Sequence, residues 1–216
     1  PPLREAGPDA AQDQEALLTL VPEARTKVYD MRKVVRLIAD RDSYFPIKER
    51  FGRNITTGLA RLGGRSVGII APNPMYRGGA LEGDACDKAV SFIVLCDSFN
   101  IPIVTLADTP GFLVGVAGER ARLPGKIMNY MQALHMATVP KLSVILRKSY
   151  GQGHLNMGAG VCDAMACWTS ADISFMDPNA AVNVVYRVRE ADDPDRYAEL
   201  KQQVSQDTTA YDLAAS

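Results

Sequence analysis

The chain has 216 residues, 47% hydrophobic and 23% charged, and its 24 Lys and Arg against 25 Asp and Glu give a formal charge of -1. That length supports one sizeable core or two small ones, and no apolar run approaches the roughly 18 residues of a membrane-spanning helix. The balanced charge offers no electrostatic footprint for nucleic acid or an anionic membrane surface, which leaves a small molecule or another protein as the partner.

Residues 1–27 are rich in Pro, Ala and acidic residues without sustained periodicity, and read as a linker or interdomain segment ahead of a domain spanning 28–216. In "DMRKVVRLIADRDSYF" the residues Met31, Val34, Val35 and Ile38 fall at i, i+3, i+4 and i+7, predicting an amphipathic helix with Asp30 as its N-cap. Four strand-like runs follow at 66–71, 101–108, 141–148 and 172–177, with helices predicted over 84–98, 119–138 and 153–167. Strands alternating with helices imply right-handed crossovers and an α/β fold with a mostly parallel sheet. The first three runs are apolar at nearly every position, as in strands buried on both faces. Ligands of such sheets sit beyond the carboxyl ends of the strands. Two glycine-bearing loops leave those ends, "ADTPGFLVG" and "KSYGQG", and are expected to converge on one site.

In "SYGQGHLNMGAG" the glycines at 151 and 153 let a ligand approach the main chain. A helix starting near Gly153 would present unpaired amides at the positive end of its dipole, suited to an enolate or other oxyanion. The same stretch also reads as a strand-to-helix corner with glycines for close packing. A dinucleotide fingerprint is a rival, since Gly151 and Gly153 supply G-x-G and Asp172 lies about twenty residues on. Against it, Asn156 stands where the third glycine belongs, and the corner follows the third strand rather than the first. In "DTPGF", Pro110 and Gly111 make a tight turn from which the amides of Phe112 and later residues are expected to face outward.

Side-chain catalysts are sparse. Ser149 has no evident base, His154 reads as a helix-start residue, and Glu119 as a helix-start carboxylate. Met128, Met131, Met136, Met157 and Met165 are expected to fill the core. Cys86, Cys96, Cys162 and Cys167 show no CxxC spacing and read as reduced and buried. Only His135 and His154 are present, so a metal site or a histidine triad is poorly supplied and no metal is expected. The first residues lack the Arg-rich, acid-poor character of a targeting segment, which points to the cytosol, or to a mitochondrial matrix after a transit peptide is removed.

Taken in order, "GRSVGIIAPNP", "GGALEGDACDKAVSFIVLCDSFNIPIVTLADTPGFLVG", "ATVPKLSVILRKSYGQG" and "ADISFMDP" resemble the carboxyl-terminal half of the carboxyltransferase (β) subunit of biotin-dependent acyl-CoA carboxylases, of the propionyl-CoA carboxylase and methylmalonyl-CoA carboxyltransferase type. The resemblance runs from about Thr26 to Asp177, with a weaker match in "READDPDRYAELKQQ". It implies a crotonase-like superhelix of ββα units, and transfer of a carboxyl group from carboxybiotin on a carrier protein to the α carbon of an acyl-CoA of the acetyl or propionyl class. In such enzymes the biotin ureido group takes the α proton and the enolate attacks released CO2, which agrees with the missing acid and base. By motif position, Gln152 and Gly153 would be backbone oxyanion donors. Gly111, Phe112, Leu113 and Gly115 would form the opposite wall, and Tyr150, Gly151, His154 and Leu155 would complete the biotin and acyl-CoA pocket, with Leu155 near positions that sort acyl chains.

The implied partners are an amino-terminal carboxyltransferase domain that holds CoA, biotin carboxyl carrier protein, biotin carboxylase, and further copies in a dimer-based homo-oligomer extending to a hexamer. This chain departs from the family's frequent Gly-Gly-Ala at 151–153, having Gly-Gln-Gly, and "VAGERARLPGK" looks shortened. Two other readings stay open: a non-catalytic assembly or biotin-binding half that needs a separate CoA-binding domain, and a crotonase-like acyl-CoA hydratase or hydrolase. The acyl group and the direction of transfer are not fixed by these residues.

Overall fold

A computed structural model describes residues 2–5, 15–206 and 208–211. Two helices come first, α1 (Glu15–Leu20) and α2 (Met31–Ile38), then strands β1 (Phe45–Ile47), β2 (Ile55–Leu62) and β3 (Arg65–Pro72). Helix α3 (Gly83–Ser98) leads to β4 (Ile103–Thr109), helices α4 (Val116–Arg120) and α5 (Leu123–Met136), and β5 (Lys141–Tyr150). The chain continues through α6 (Gly151–Asn156), β6 (Ala164–Cys167), β7 (Asp172–Ser174), α7 (Pro178–Ala181), a π turn at Val182–Tyr186 and α8 (Pro194–Val204).

The seven strands form one sheet in the order β1-β2-β3-β4-β5-β6, with β7 also pairing β5. The pairings β1·β2 and β2·β3 are antiparallel, while β3·β4, β4·β5, β5·β6 and β5·β7 are parallel. The sheet is therefore mostly parallel, as expected, and β2, β3 and α3 make one ββα unit. Side chains alternate between its faces. Ile70 and Ile103 pack under α3 and α5 with Phe92, Ile93, Tyr130 and Leu134. Their neighbours Ile69 and Val104 face the opposite way and pack with Met31, Val34 and Val35 of α2. Asp30 caps α2 as expected, its side chain accepting from the Arg32 amide. Each fully buried aliphatic side chain of this kind contributes about 1.5–3 kcal/mol.

Several sequence expectations are corrected. Leu17 of α1 and Val21 lie in the core beside Met31, so the part of the 1–27 segment from Glu15 onward packs on the domain, which its composition conceals. The helix expected over 119–138 is broken into α4 and α5, with Arg122 in a left-handed conformation and Pro124 in the first turn of α5, where its missing N–H costs nothing. The helix expected over 153–167 is the six-residue α6, and 164–167 is strand β6. Hydroxyls of Thr105 and Ser143 donate to the Met157 carbonyl at 2.7 and 2.9 Å, and Gly158 and Gly160 adopt positive φ, so the helix ends there. Strands β1 and β2 have no counterpart in the sequence reading. Met157 is buried, but Met128, Met136 and Met165 are exposed. Cys86 and Cys96 are buried, with thiols pushed up to about 12 by burial, whereas Cys162 is half-buried and Cys167 exposed; all four are unbridged.

The most buried charges join β4 to β5. Asp108 is fully buried, and its Oδ2 accepts from Arg147 Nε at 3.1 Å and from the Tyr29 hydroxyl at 2.8 Å. Arg147 Nη2 lies 3.0 Å and Lys148 Nζ 3.7 Å from the same carboxylate. Arg147 Nη1 donates to the carbonyls of Pro22, Ala24 and Lys27 at 3.0, 2.8 and 3.0 Å, tying the segment after α1 to the sheet. Burial, and then the adjacent carboxylate, push the Tyr29 phenol far above its ordinary value. Burial depresses the Lys148 ammonium despite the attraction of Asp108.

Asp108→Asn leaves two buried cations without their counter-charge, a change that commonly costs about 3–5 kcal/mol. Urea unfolding should show a lowered midpoint at unchanged slope; a midpoint equal to the parent's would show that the cluster contributes nothing to stability.

Candidate active site at the carboxyl ends of β4 and β5

Strands β4 and β5 run parallel, so their carboxyl ends deliver the two glycine loops to the same edge of the sheet. At the first loop, the Gly111 amide donates to Thr109 Oγ1 at 3.1 Å, and that hydroxyl lies 2.8 Å from the Gly79 carbonyl. Leu81 then pairs with the loop: its amide donates to the Gly111 carbonyl and its carbonyl accepts from the Leu113 amide, both at 2.8 Å. The Leu113 amide is thus engaged, which corrects the expectation that the amides from Phe112 onward all face outward. Beyond it, Val114 and Gly115 are exposed, and Gly115 is the N-cap of α4. Glu119 is exposed within α4.

At the second loop, α6 starts at Gly151, two residues earlier than expected, with Tyr150 as an N-cap whose side chain makes no capping bond. The amides of a helix's first turn have no intrahelical partner, so those of Gln152 and Gly153 are not used within α6. Gly151 sits at φ +49°, and a Cβ there would lie 2.5 Å from the Phe175 carbonyl oxygen. At Gly153 a Cβ would lie 2.8 Å from the Gly111 Cα. The two loops are therefore in backbone contact, through glycines on both sides. The convergence expected from the sequence is present.

Around this contact, Tyr150 is buried and its hydroxyl donates to Asp172 Oδ2 at 2.5 Å, while Arg25 Nη1 lies 2.8 Å from the same oxygen. Burial, reinforced by the Asp172 carboxylate, pushes the Tyr150 phenol far above its ordinary value, so it serves as a neutral strut. Gln152 is exposed, but its amide group is occupied: Nε2 donates to Asn156 Oδ1 at 2.8 Å and lies 2.7 Å from Met131 Sδ. Asn156 in turn donates to the Ile127 carbonyl at 3.1 Å. The side chain of Gln152 thus links α6 to α5, and its backbone amide remains at the helix start. Leu155 and Phe112 are partly exposed beside the corner.

The sequence reading missed one pairing. Ser149 Oγ, fully buried, lies 2.9 Å from His154 Nδ1. Their five-residue separation across a strand-to-helix corner hides the contact, because neither strand nor helix periodicity relates them. Burial lowers the imidazole pKa, holding it neutral. Among the described residues, no carboxylate is hydrogen-bonded to this imidazole, so the third member of a hydrolytic triad is lacking. The described residues also contain no group of three or more His, Cys, Asp or Glu side chains able to hold a metal ion.

The sheet and the site define a mixed α/β protein whose mostly parallel sheet presents two touching glycine corners at its carboxyl edge. The comparisons make the class specific. The carboxyl transferase domain profile matches residues 1–216. The methylmalonyl-CoA carboxyltransferase 12S subunit of Propionibacterium freudenreichii subsp. shermanii is 43% identical over 184 residues, covering 83% of this chain and 35% of its own. A putative propionyl-CoA carboxylase beta chain of Bacillus subtilis (strain 168) is 38% identical over 208 residues, covering 92% and 41%. The crystal structure of transcarboxylase 12S, a hexamer with methylmalonyl-coenzyme A and methylmalonic acid bound, superposes with TM-score 0.89 and 39% identity over 99% of this chain and 42% of that one. This chain is a member of the carboxyl transferase domain family, and it spans about two fifths of the length of these relatives.

Two outcomes test the corner. Gly151→Ala combines a left-handed φ with a contact onto the Phe175 carbonyl, so it should lower the melting temperature; an unchanged value would mean that the corner relaxes freely. His154, followed by proton NMR, should titrate below the ordinary imidazole value of about 6.5. Because the folded pKa is lowered, stability is flat above that value and falls as pH drops from there through the folded pKa. A midpoint above 6.5 would contradict the buried, neutral pairing with Ser149.

Proposed function

We propose that this chain is the biotin-facing half of a carboxyltransferase that moves a carboxyl group between carboxybiotin and the α carbon of an acyl-CoA of the acetyl or propionyl class. The observation that carries the reading is the backbone contact of Gly153 with Gly111, which joins two main-chain loops into one corner almost free of reactive side chains. Bound carboxybiotin supplies both the CO2 and, through its ureido group, the base. The part left to this chain is to orient the reactants and stabilise negative charge. The amides of Gln152 and Gly153 are assigned to the biotin carbonyl oxygen. Gly111, Phe112, Leu113 and Gly115 act as the facing wall, and Tyr150, Gly151, His154 and Leu155 as the rest of the pocket. Loss of one such amide donor typically lowers turnover by about 10²- to 10³-fold.

The active unit in this proposal includes an amino-terminal CoA-holding half, a biotin carboxyl carrier protein, a biotin carboxylase and further copies of the enzyme. It works in the cytosol or a mitochondrial matrix, where acyl-CoA is available. The Ser149–His154 pair is the observation that would suit a hydrolase, but among the described residues it has no orienting carboxylate.

The test is a carboxyl-transfer assay with carboxybiotin and acetyl-, propionyl- and butyryl-CoA, with this chain supplied alone and together with an amino-terminal half. Transfer only when both are present supports the proposal. Transfer with no such half, or CoA release by this chain alone, overturns it. In the same assay Gln152→Ala should retain activity within about tenfold, since the amide survives; a loss of about 10²-fold or more would assign the role to the side chain.

A further inference from the structure

A second concave site lies over the first turn of α3, on the far side of Leu81 from the Gly111 loop. It is an open pocket of about 430 Å³ lined by Arg50, Arg53, Asn54, Tyr76 and Arg77, with Glu82 and Asp84 on its α3 side. Its floor is held firmly. The buried Lys88 ammonium donates to the carbonyls of Phe51 and Ile55 at 2.9 and 2.8 Å, fixing the strand of chain that carries Arg53 and Asn54. Gly52 packs on α3 so closely that a Cβ there would lie 2.8 Å from the Asp84 carbonyl oxygen.

Three features of this pocket call for a ligand. First, it gathers three guanidinium groups. Arg53 is placed over the Tyr76 ring at 4.3 Å from the centroid and donates to its hydroxyl. Arg77 is held in a left-handed backbone conformation at φ +52°, and its ion pair with Glu82 is long at 3.4 Å. Second, α3 is a sixteen-residue helix whose N-cap, Glu82, makes no side-chain capping bond, so its first-turn amides and dipole are available to an anion. Third, Asn54 is 1% exposed, and its side chain is locked by a 2.6 Å bond from Nδ2 to the Ala80 carbonyl, yet its Oδ1 has no hydrogen-bond partner. A buried acceptor left unmade is costly and marks a place where a donor belongs.

The cations ask for an anion, while Asn54 Oδ1 and the two carboxylates ask for a hydrogen-bond donor. Inorganic or simple alkyl phosphate answers the cations but brings no hydroxyl donor for Asn54, Glu82 and Asp84; a phosphate ester of a hydroxylated sugar carries both. We propose that this pocket binds such a sugar phosphate, with the phosphate toward the arginines and a hydroxyl toward Asn54. The assignment stands on these residues alone and does not depend on carboxyl transfer at the glycine corner.

Calorimetric titration of the chain with AMP, ribose 5-phosphate, methyl phosphate and adenosine tests it. The expected result is binding of AMP, ribose 5-phosphate or both at least tenfold tighter than methyl phosphate, and none of adenosine. Tighter binding of AMP than of ribose 5-phosphate identifies a nucleotide as the source, and equal binding identifies a free sugar phosphate. The surface double variant Arg53→Gln/Arg77→Gln, with an unchanged melting temperature, should bind at least tenfold more weakly. Absence of binding by either sugar phosphate at millimolar concentration, methyl phosphate binding as tightly as both, or undiminished affinity in the double variant would each overturn the proposal.

Discussion

The contact on which most of this molecule depends is the ion cluster around Asp108. A carboxylate with no exposure to water is tolerated only when its charge and lone pairs are matched inside the protein. Here Arg147, Lys148 and Tyr29 match them. The cluster sits on the last turns of β4 and β5, and each of its members reaches a different part of the chain. Arg147 gathers the segment after α1, Lys148 donates to the Gly78 carbonyl at 3.1 Å, and Tyr29 secures the approach to α2. A buried pair of this kind adds little net stability compared with well-packed apolar residues. What it adds is registration, because only one placement of these four elements leaves no charge stranded.

That registration explains how a corner with so few reactive groups is held in place. Asp108 is followed directly by Thr109, whose hydroxyl engages the Gly79 carbonyl and the Gly111 amide, and by the loop that touches Gly153. Lys148 is followed by Ser149, which holds His154, and by Tyr150, which is tied to Asp172. The polar residues of the two strand ends thus act as supports, one layer below the amides. Gln152 belongs to this set as well: its side chain bonds Asn156 within α6 and reaches Met131 of α5.

Much of the fold was legible because its signals are local. The spacing of Met31, Val34 and Val35, the Asp30 cap and the apolar runs of β3, β4 and β5 each announce one element. The convergence of the two glycine loops was legible too, since parallel strands carry their following loops to a common edge. What escaped depends on contacts distant in sequence. α6 ends where hydroxyls from Thr105 and Ser143 take the carbonyl of its C-cap, Met157, and no window around Met157 contains them. Strand β2, "ITTGLARL", is mostly buried and shows no clean alternation. Arg147 and Lys148 within a buried strand were the one visible hint of the ion cluster, but their partner is 39 residues away from Arg147 in sequence.

The tie between Arg147 and the carbonyls of Pro22, Ala24 and Lys27 bears on where this domain can be divided. Composition places a boundary after residue 27, which leaves all three of those acceptors on the far side. A version of the chain starting at 28 would keep all seven strands and both glycine loops, yet its central guanidinium would lose three oxygens and Asp172 its cation, Arg25. From α1 onward, the residues that read as a connector pack with the domain, Leu17 and Val21 lying in its core.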